Sequence, residues 1–107
     1  MLFNQGELVF LGIFKYDYQN FINNLVSETV TESQAYSLFI ESQNKRAKAD
    51  IVGFITEEEY DKIEAGTTGY PLLEADIKEA ELLLTAFYMQ LARLNTTERT
   101  SFFYLPI

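Results

Sequence analysis

The chain has 107 residues, 16 acidic and 8 basic side chains for a net charge of −8, and neither histidine nor cysteine. That removes disulfides, thiolate nucleophiles, imidazole bases and the usual nitrogen and sulfur metal ligands. A surplus of carboxylates also argues against coating nucleic acid, which is held by lysine and arginine. With 48% hydrophobic and 15% aromatic residues the chain is rich enough to bury a core. Its length predicts one domain over residues 1–107.

Residues 1–16 open with the turn signal Asn4-Gln5-Gly6. The apolar run 8–14, broken by Gly12, reads as an extended arm or a short buried strand, although periodicity alone does not separate it from a buried helix. The segment has no basic stretch and no small-residue cleavage site. The expectation is therefore an intracellular protein without a signal peptide. No apolar run approaches the ~20 residues of a membrane span.

Asp17 is placed to cap a first helix, in which Tyr18, Phe21, Ile22, Leu25 and Val26 form one apolar face. Thr31 and Gln34 form a capping box for a second helix, which extends to about Ala49 and carries Lys45, Arg46 and Lys48 near its end. Residues 51–54 read as a short link or the buried end of that helix. Thr56 with Glu59 caps a third helix over 57–63, with Gly66 as its stop.

The longest element is predicted over 71–94. Leu73, Ile77, Ala80, Leu84, Phe87, Leu91 and Leu94 recur in steps of four and three, an apolar seam expected to face the core. Glu74, Lys78, Glu81 and Thr85 form the expected solvent face. Between Leu82 and Met89 apolar residues surround the helix almost completely, so it needs cover on more than one side. Residues 101–107, SFFYLPI, form an apolar tail that Pro106 keeps extended. Waist and tail together point to a subunit or partner interface made of Leu83, Ala86, Phe87, Tyr88, Met89, Phe102, Phe103, Tyr104, Leu105 and Ile107. The expected fold is mainly α, a small domain of about four helices with one long central C-terminal helix, an extended N-terminal arm and a C-terminal tail.

Signals for chemistry are few. Asp76 and Glu79 share a face that a hard cation would suit, but an acidic first turn explains them more simply. Glu57, Glu58 and Glu59 have the same explanation. Lys45, Arg46 and Lys48 match a phosphate contact or, more commonly, an ordinary solvated helix end. Tyr88 and Arg93 read either as a polar pair or as helix surface. With no glycine-rich phosphate loop and no nucleophile motif, no enzyme, cofactor or metal site is expected.

Pro71, then Glu74-Ala75-Asp76-Ile77-Lys78-Glu79-Ala80, Leu82-Leu83-Leu84-Thr85-Ala86-Phe87-Tyr88 and Arg93, resembles the long helix of head–tail connector (adaptor) proteins of tailed bacteriophages. Residues 53–63 are similar to a short element of small phage tail-region proteins. The resemblance implies a structural virion protein that forms a homo-oligomeric ring. It would bridge the portal protein and a tail or stopper protein in the virion neck, after assembly in the host cytoplasm. DNA would pass through without specific binding, and an acidic lumen suits such passage. The alternative is a small acidic binding module, inhibitor- or antitoxin-like, that meets a basic partner by charge complementarity.

Overall fold

The computed structural model describes the backbone of residues 1–104 and the side chains of residues 1–94. The fold is mainly α. Two 3-10 segments, Gln5–Leu11 and Lys15–Tyr18, lead into α1 (Gln19–Leu25), α2 (Glu32–Ile55), α3 (Glu57–Ala65) and α4 (Pro71–Tyr104). Strands are absent among the described residues.

The N-terminal region is not the extended arm or strand expected from its apolar run. Asn4 caps the first 3-10 segment by accepting from the Gly6 amide, while Glu7 accepts from the Asn4 amide at 2.8 Å. Gly12 ends the turn in the left-handed region at φ 77°, which a residue without Cβ adopts freely. Leu8 and Ile13 are thereby turned into the core while Val9 and Phe10 stay exposed. Asp17 caps nothing. It lies within the second 3-10 segment and pairs with Arg93 at 3.7 Å.

The capping box of α2 forms as its sequence predicts, with the Gln34 amide donating to Thr31 Oγ1 at 3.2 Å and Gln34 Oε1 accepting from the Thr31 amide at 2.9 Å. The helix continues past Ala49 to Ile55, because Ile51 is buried against Leu2, Tyr60 and Ile63 and so anchors the last turns. Thr56 then serves two helices. Its amide closes α2 by donating to the Val52 carbonyl, and its hydroxyl accepts from the Glu59 amide at the start of α3. The price is backbone strain, since Thr56 sits at φ 79°, ψ 155°. Glu59 does not complete the box; its carboxylate accepts from the Thr68 hydroxyl at 2.8 Å and ties down the α3–α4 loop.

Helices α2 and α4 form the central pair. One core cluster joins Leu8, Ile13, Tyr18, Phe39, Ile40, Ala86 and Met89; the other joins Leu2, Ile51, Tyr60 and Ile63. In the first, Phe39 stacks on Phe21 at 4.6 Å and meets Tyr18 at 5.4 Å.

Helix α4 lies the other way round from its predicted phase. Leu73, Phe87 and Leu94 of the seam are exposed, and Ile77, Ala80, Leu84 and Leu91 are only half-buried. The buried side carries Glu81, Thr85, Ala86 and Met89, so two residues expected in water lie in the core. A helix with an all-round apolar waist offers two stripes for burial. The stripe used here is the one whose polar groups find partners inside.

Candidate functional site

Those partners are specific. Glu81 is wholly buried, and each of its carboxyl oxygens accepts one hydrogen bond: Oε1 from the Tyr60 hydroxyl at 2.5 Å and Oε2 from the Leu2 amide at 2.7 Å. Thr85 donates to the Glu81 carbonyl at 2.8 Å and accepts from Asn44 Nδ2 of α2 at 3.3 Å. Burial, with the neighbouring Glu81, pushes the Tyr60 hydroxyl well above its usual range. Lys48 Nζ lies 4.8 Å from the centre of the Tyr60 ring. The cluster joins the N-terminus, α3 and α4. The Met1 ammonium adds a 2.9 Å ion pair to Glu64, whose carboxyl is held below its usual range by that bond. The Glu81 cluster is closed to solvent and satisfied within the chain, so it acts as a structural tie and not as a site for substrate.

The predicted interface residues separate into three groups. Leu83 and Phe87 stand on the outward face of α4, 48% and 53% exposed. Ala86 and Met89 are not on that outward face: both are buried in the chain's own core. Tyr88 is half-buried between these faces. Its hydroxyl donates to Asp50 of α2, which raises its ionisation range, and Arg46 stacks 4.2 Å over its ring. Tyr88 therefore pairs with α2, and Arg93 with Asp17, and the two do not pair with each other. The backbone of residues 101–104, including Phe102, Phe103 and Tyr104, continues α4 and is not extended, because no proline or glycine interrupts it there. The side chains of these three, and all of Leu105 and Ile107, lie outside the described residues.

The outward face of α4 is wider than the sequence reading allowed. Its exposed members are Leu73, Leu83, Phe87 and Leu94, while Ile77, Ala80 and Leu84 beside them pack on the second core cluster. Beside it, Phe54 at the end of α2 is 91% exposed and borders an apolar groove shared by α2 and α4. Residues 51–54, expected as a short link or the buried end of α2, are helical, but Phe54 is not buried. The helical spacing Asn44, Ala47, Ile51 continues to Phe54 on the same face, so its exposure was not legible from periodicity. Further exposed apolar side chains are Val9, Phe10 and Tyr16 in the 3-10 segments, and Leu25 and Val26, with Leu25 and Leu38 of α2 lining one groove. Leu38 and Phe54 are 16 residues apart on α2, about 24 Å along the axis.

The charged groups are mostly engaged locally. Lys48 pairs with Glu57 at 3.6 Å, Lys62 with Glu58 at 3.5 Å and Lys78 with Glu74 at 3.0 Å. Asp76 and Glu79 are exposed, and no group of three acidic residues able to hold a metal ion occurs among the described residues. No described helix is long and apolar enough to cross a membrane. Comparison of the chain with protein-family models, with curated proteins and with solved structures finds no match.

Proposed function

We propose that this chain is a structural subunit that works by assembly, of the kind of a head–tail connector in the neck of a tailed bacteriophage. The observation that carries the reading is the apolar surface left uncovered on a small acidic domain: the outward face of α4 with Phe54, and the exposed side chains of Phe10, Tyr16 and Leu25 elsewhere. Soluble monomers seldom leave contiguous apolar patches of that kind in water. Apolar side chains exposed away from that face as well suit a subunit that meets more than one neighbour, as a ring between a portal protein and a tail or stopper protein would. The likeness of residues 71–93 to the connector long helix and a net charge of −8, suited to DNA passing without sticking, support the more specific role. Among the described residues no side-chain constellation argues for catalysis.

The test is the mass of the full chain in solution by sedimentation, over a wide concentration range, alone and mixed with a portal ring. Concentration-dependent assembly or capture by the portal is the expected result. The charge also favours a second reading, an acidic module for a basic protein. A persistent monomer that binds cationic partners, and loses them in salt, would establish that reading instead.

A further inference from the structure

Helices α1 and α2 leave between them a groove of about 410 Å³, lined by Phe21, Asn24, Leu25, Leu38, Phe39 and Ser42. Phe21 and Phe39 stack at 4.6 Å and Phe39 is buried, whereas Leu25 and Leu38 are 40% and 46% exposed. A cavity of about 150 Å³ holds one benzene-sized group, so this groove has room for two large side chains. None of its six lining residues is charged. Three other grooves each include charge: Asp50 under Phe54, Glu7 and Lys78 at the start of α4, and Lys45 and Lys48 on α2. Copies of a chain with a net charge of −8 repel one another, so a contact between them costs least where both surfaces are uncharged.

The uncharged segment 100–107, TSFFYLPI, has the matching chemistry. Proline disfavours helix for the residue before it, and alternate residues of an extended segment face one side. Leu105 and Ile107, flanking Pro106, are therefore spaced to enter one groove together when the segment is bound extended. The chain's own groove is out of their reach. Phe39 packs in one cluster with Ala86 and Met89, which fixes the level of the groove along α4. From Met89 the helix continues 15 residues to Tyr104, about 22 Å beyond that level. Residues 105–107 span at most about 10 Å more. The groove of a second copy carries no such limit.

We propose that residues 105–107 of one copy dock in the α1–α2 groove of the next, with Leu105 and Ile107 seated against Phe21, Leu25, Leu38 and Phe39. Asn24 and Ser42, in the same groove, offer side-chain hydrogen bonds to the docked backbone. The inference rests on the assembly reading above and specifies one of its contacts. Donor and acceptor surfaces differ, so the contact is head-to-tail. Each copy gives its tail to one neighbour and its groove to the other, and the series closes as a ring when the rotation between copies allows.

The chain has no cysteine, so introduced thiols report the contact directly. Leu38→Cys and Ile107→Cys variants are purified separately and oxidised alone and as a mixture, with and without a portal ring. Cross-linked pairs in the mixture, well above either variant alone, are the expected result. The double variant should give a ladder of covalent multimers that runs past two copies. A cross-link closed within one double-variant chain means that its own tail reaches the groove and overturns the proposal, as does a mixture that cross-links no better than the single variants. In parallel, Leu38→Glu should weaken the oligomer at least about tenfold. It should leave the helical signal unchanged, because Leu38 is nearly half exposed. A wild-type oligomer whose mass is indifferent to Leu38→Glu overturns this contact and leaves the assembly reading standing. A wild-type monomer at all concentrations, with the portal or without it, overturns both.

Discussion

The hydroxyl of Tyr60 on α3 donates to Oε1 of Glu81 on α4 at 2.5 Å, and both side chains are completely buried. Glu81 also accepts the Leu2 amide, so one carboxyl group ties three parts of the chain together. Glu81→Ala should cost about 3–5 kcal/mol, since it strands two buried donors and leaves a void. Tyr60→Phe should cost less, about 1–3 kcal/mol. Urea denaturation of the two single variants and the double variant measures the coupling. A loss near zero for Glu81→Ala would show that the residue faces water, as a simple reading of its spacing suggests.

Stability should fall at alkaline pH, and Tyr60 should account for part of the fall. Burial, then the bond to Glu81, keeps its hydroxyl protonated in the folded state far above the ordinary tyrosine value of about 10. Below that value both states hold the proton and the contribution is complete. As pH rises past it, the unfolded chain releases the proton and the folded chain does not, so stability drops by about 1.4 kcal/mol per pH unit for this group. Tyr18 and Tyr36 are raised in the same direction by burial. Denaturant melts on both sides of pH 10 should show a shallower decline for Tyr60→Phe than for the wild type.

Tyr18 makes a contrasting case. Its ring is buried in the first core cluster, but its hydroxyl is buried without a hydrogen-bond partner among the described residues. Removing an unsatisfied oxygen relieves its desolvation cost. Tyr18→Phe should therefore be neutral or stabilising, by up to about 1 kcal/mol, where Tyr60→Phe destabilises. Thermal melts of the pair side by side decide the matter, and a marked loss for Tyr18→Phe would mean that its hydroxyl has a partner in solution.

Thr56 links α2 to α3 in a backbone conformation that suits glycine, at φ 79° and ψ 155°. The strain costs roughly 1–3 kcal/mol, whereas exchanging a threonine cap for glycine costs a few tenths. Thr56→Gly should hold or raise stability. Thr56→Ala keeps the strain, loses the bond to the Glu59 amide and should lose about 1 kcal/mol. Equal melting temperatures for the two variants would contradict the strained geometry.

Local sequence determined the helices that begin at Thr31 and Thr56, the left-handed stop at Gly66 and the start of α4 at Pro71, because caps and breakers act within a few residues of themselves. The N-terminal 3-10 turn was legible too, since Asn4 and Glu7 are spaced as a capping box, but the apolar run beside them reads more loudly as a strand. Of the candidate site, Leu83 and Phe87 were named as interface residues from sequence, though Phe87 was also expected in the core-facing seam, and the seam was visible as a repeat. Its direction was not. Periodicity shows that α4 has an apolar stripe but not which of two stripes the rest of the chain covers. That depended on partners distant in sequence: Leu2, Asn44 and Tyr60 satisfy Glu81 and Thr85 and so make a polar stripe the inner one. Only the tertiary structure brings those groups together, because a buried carboxyl is tolerable only where its hydrogen bonds are made.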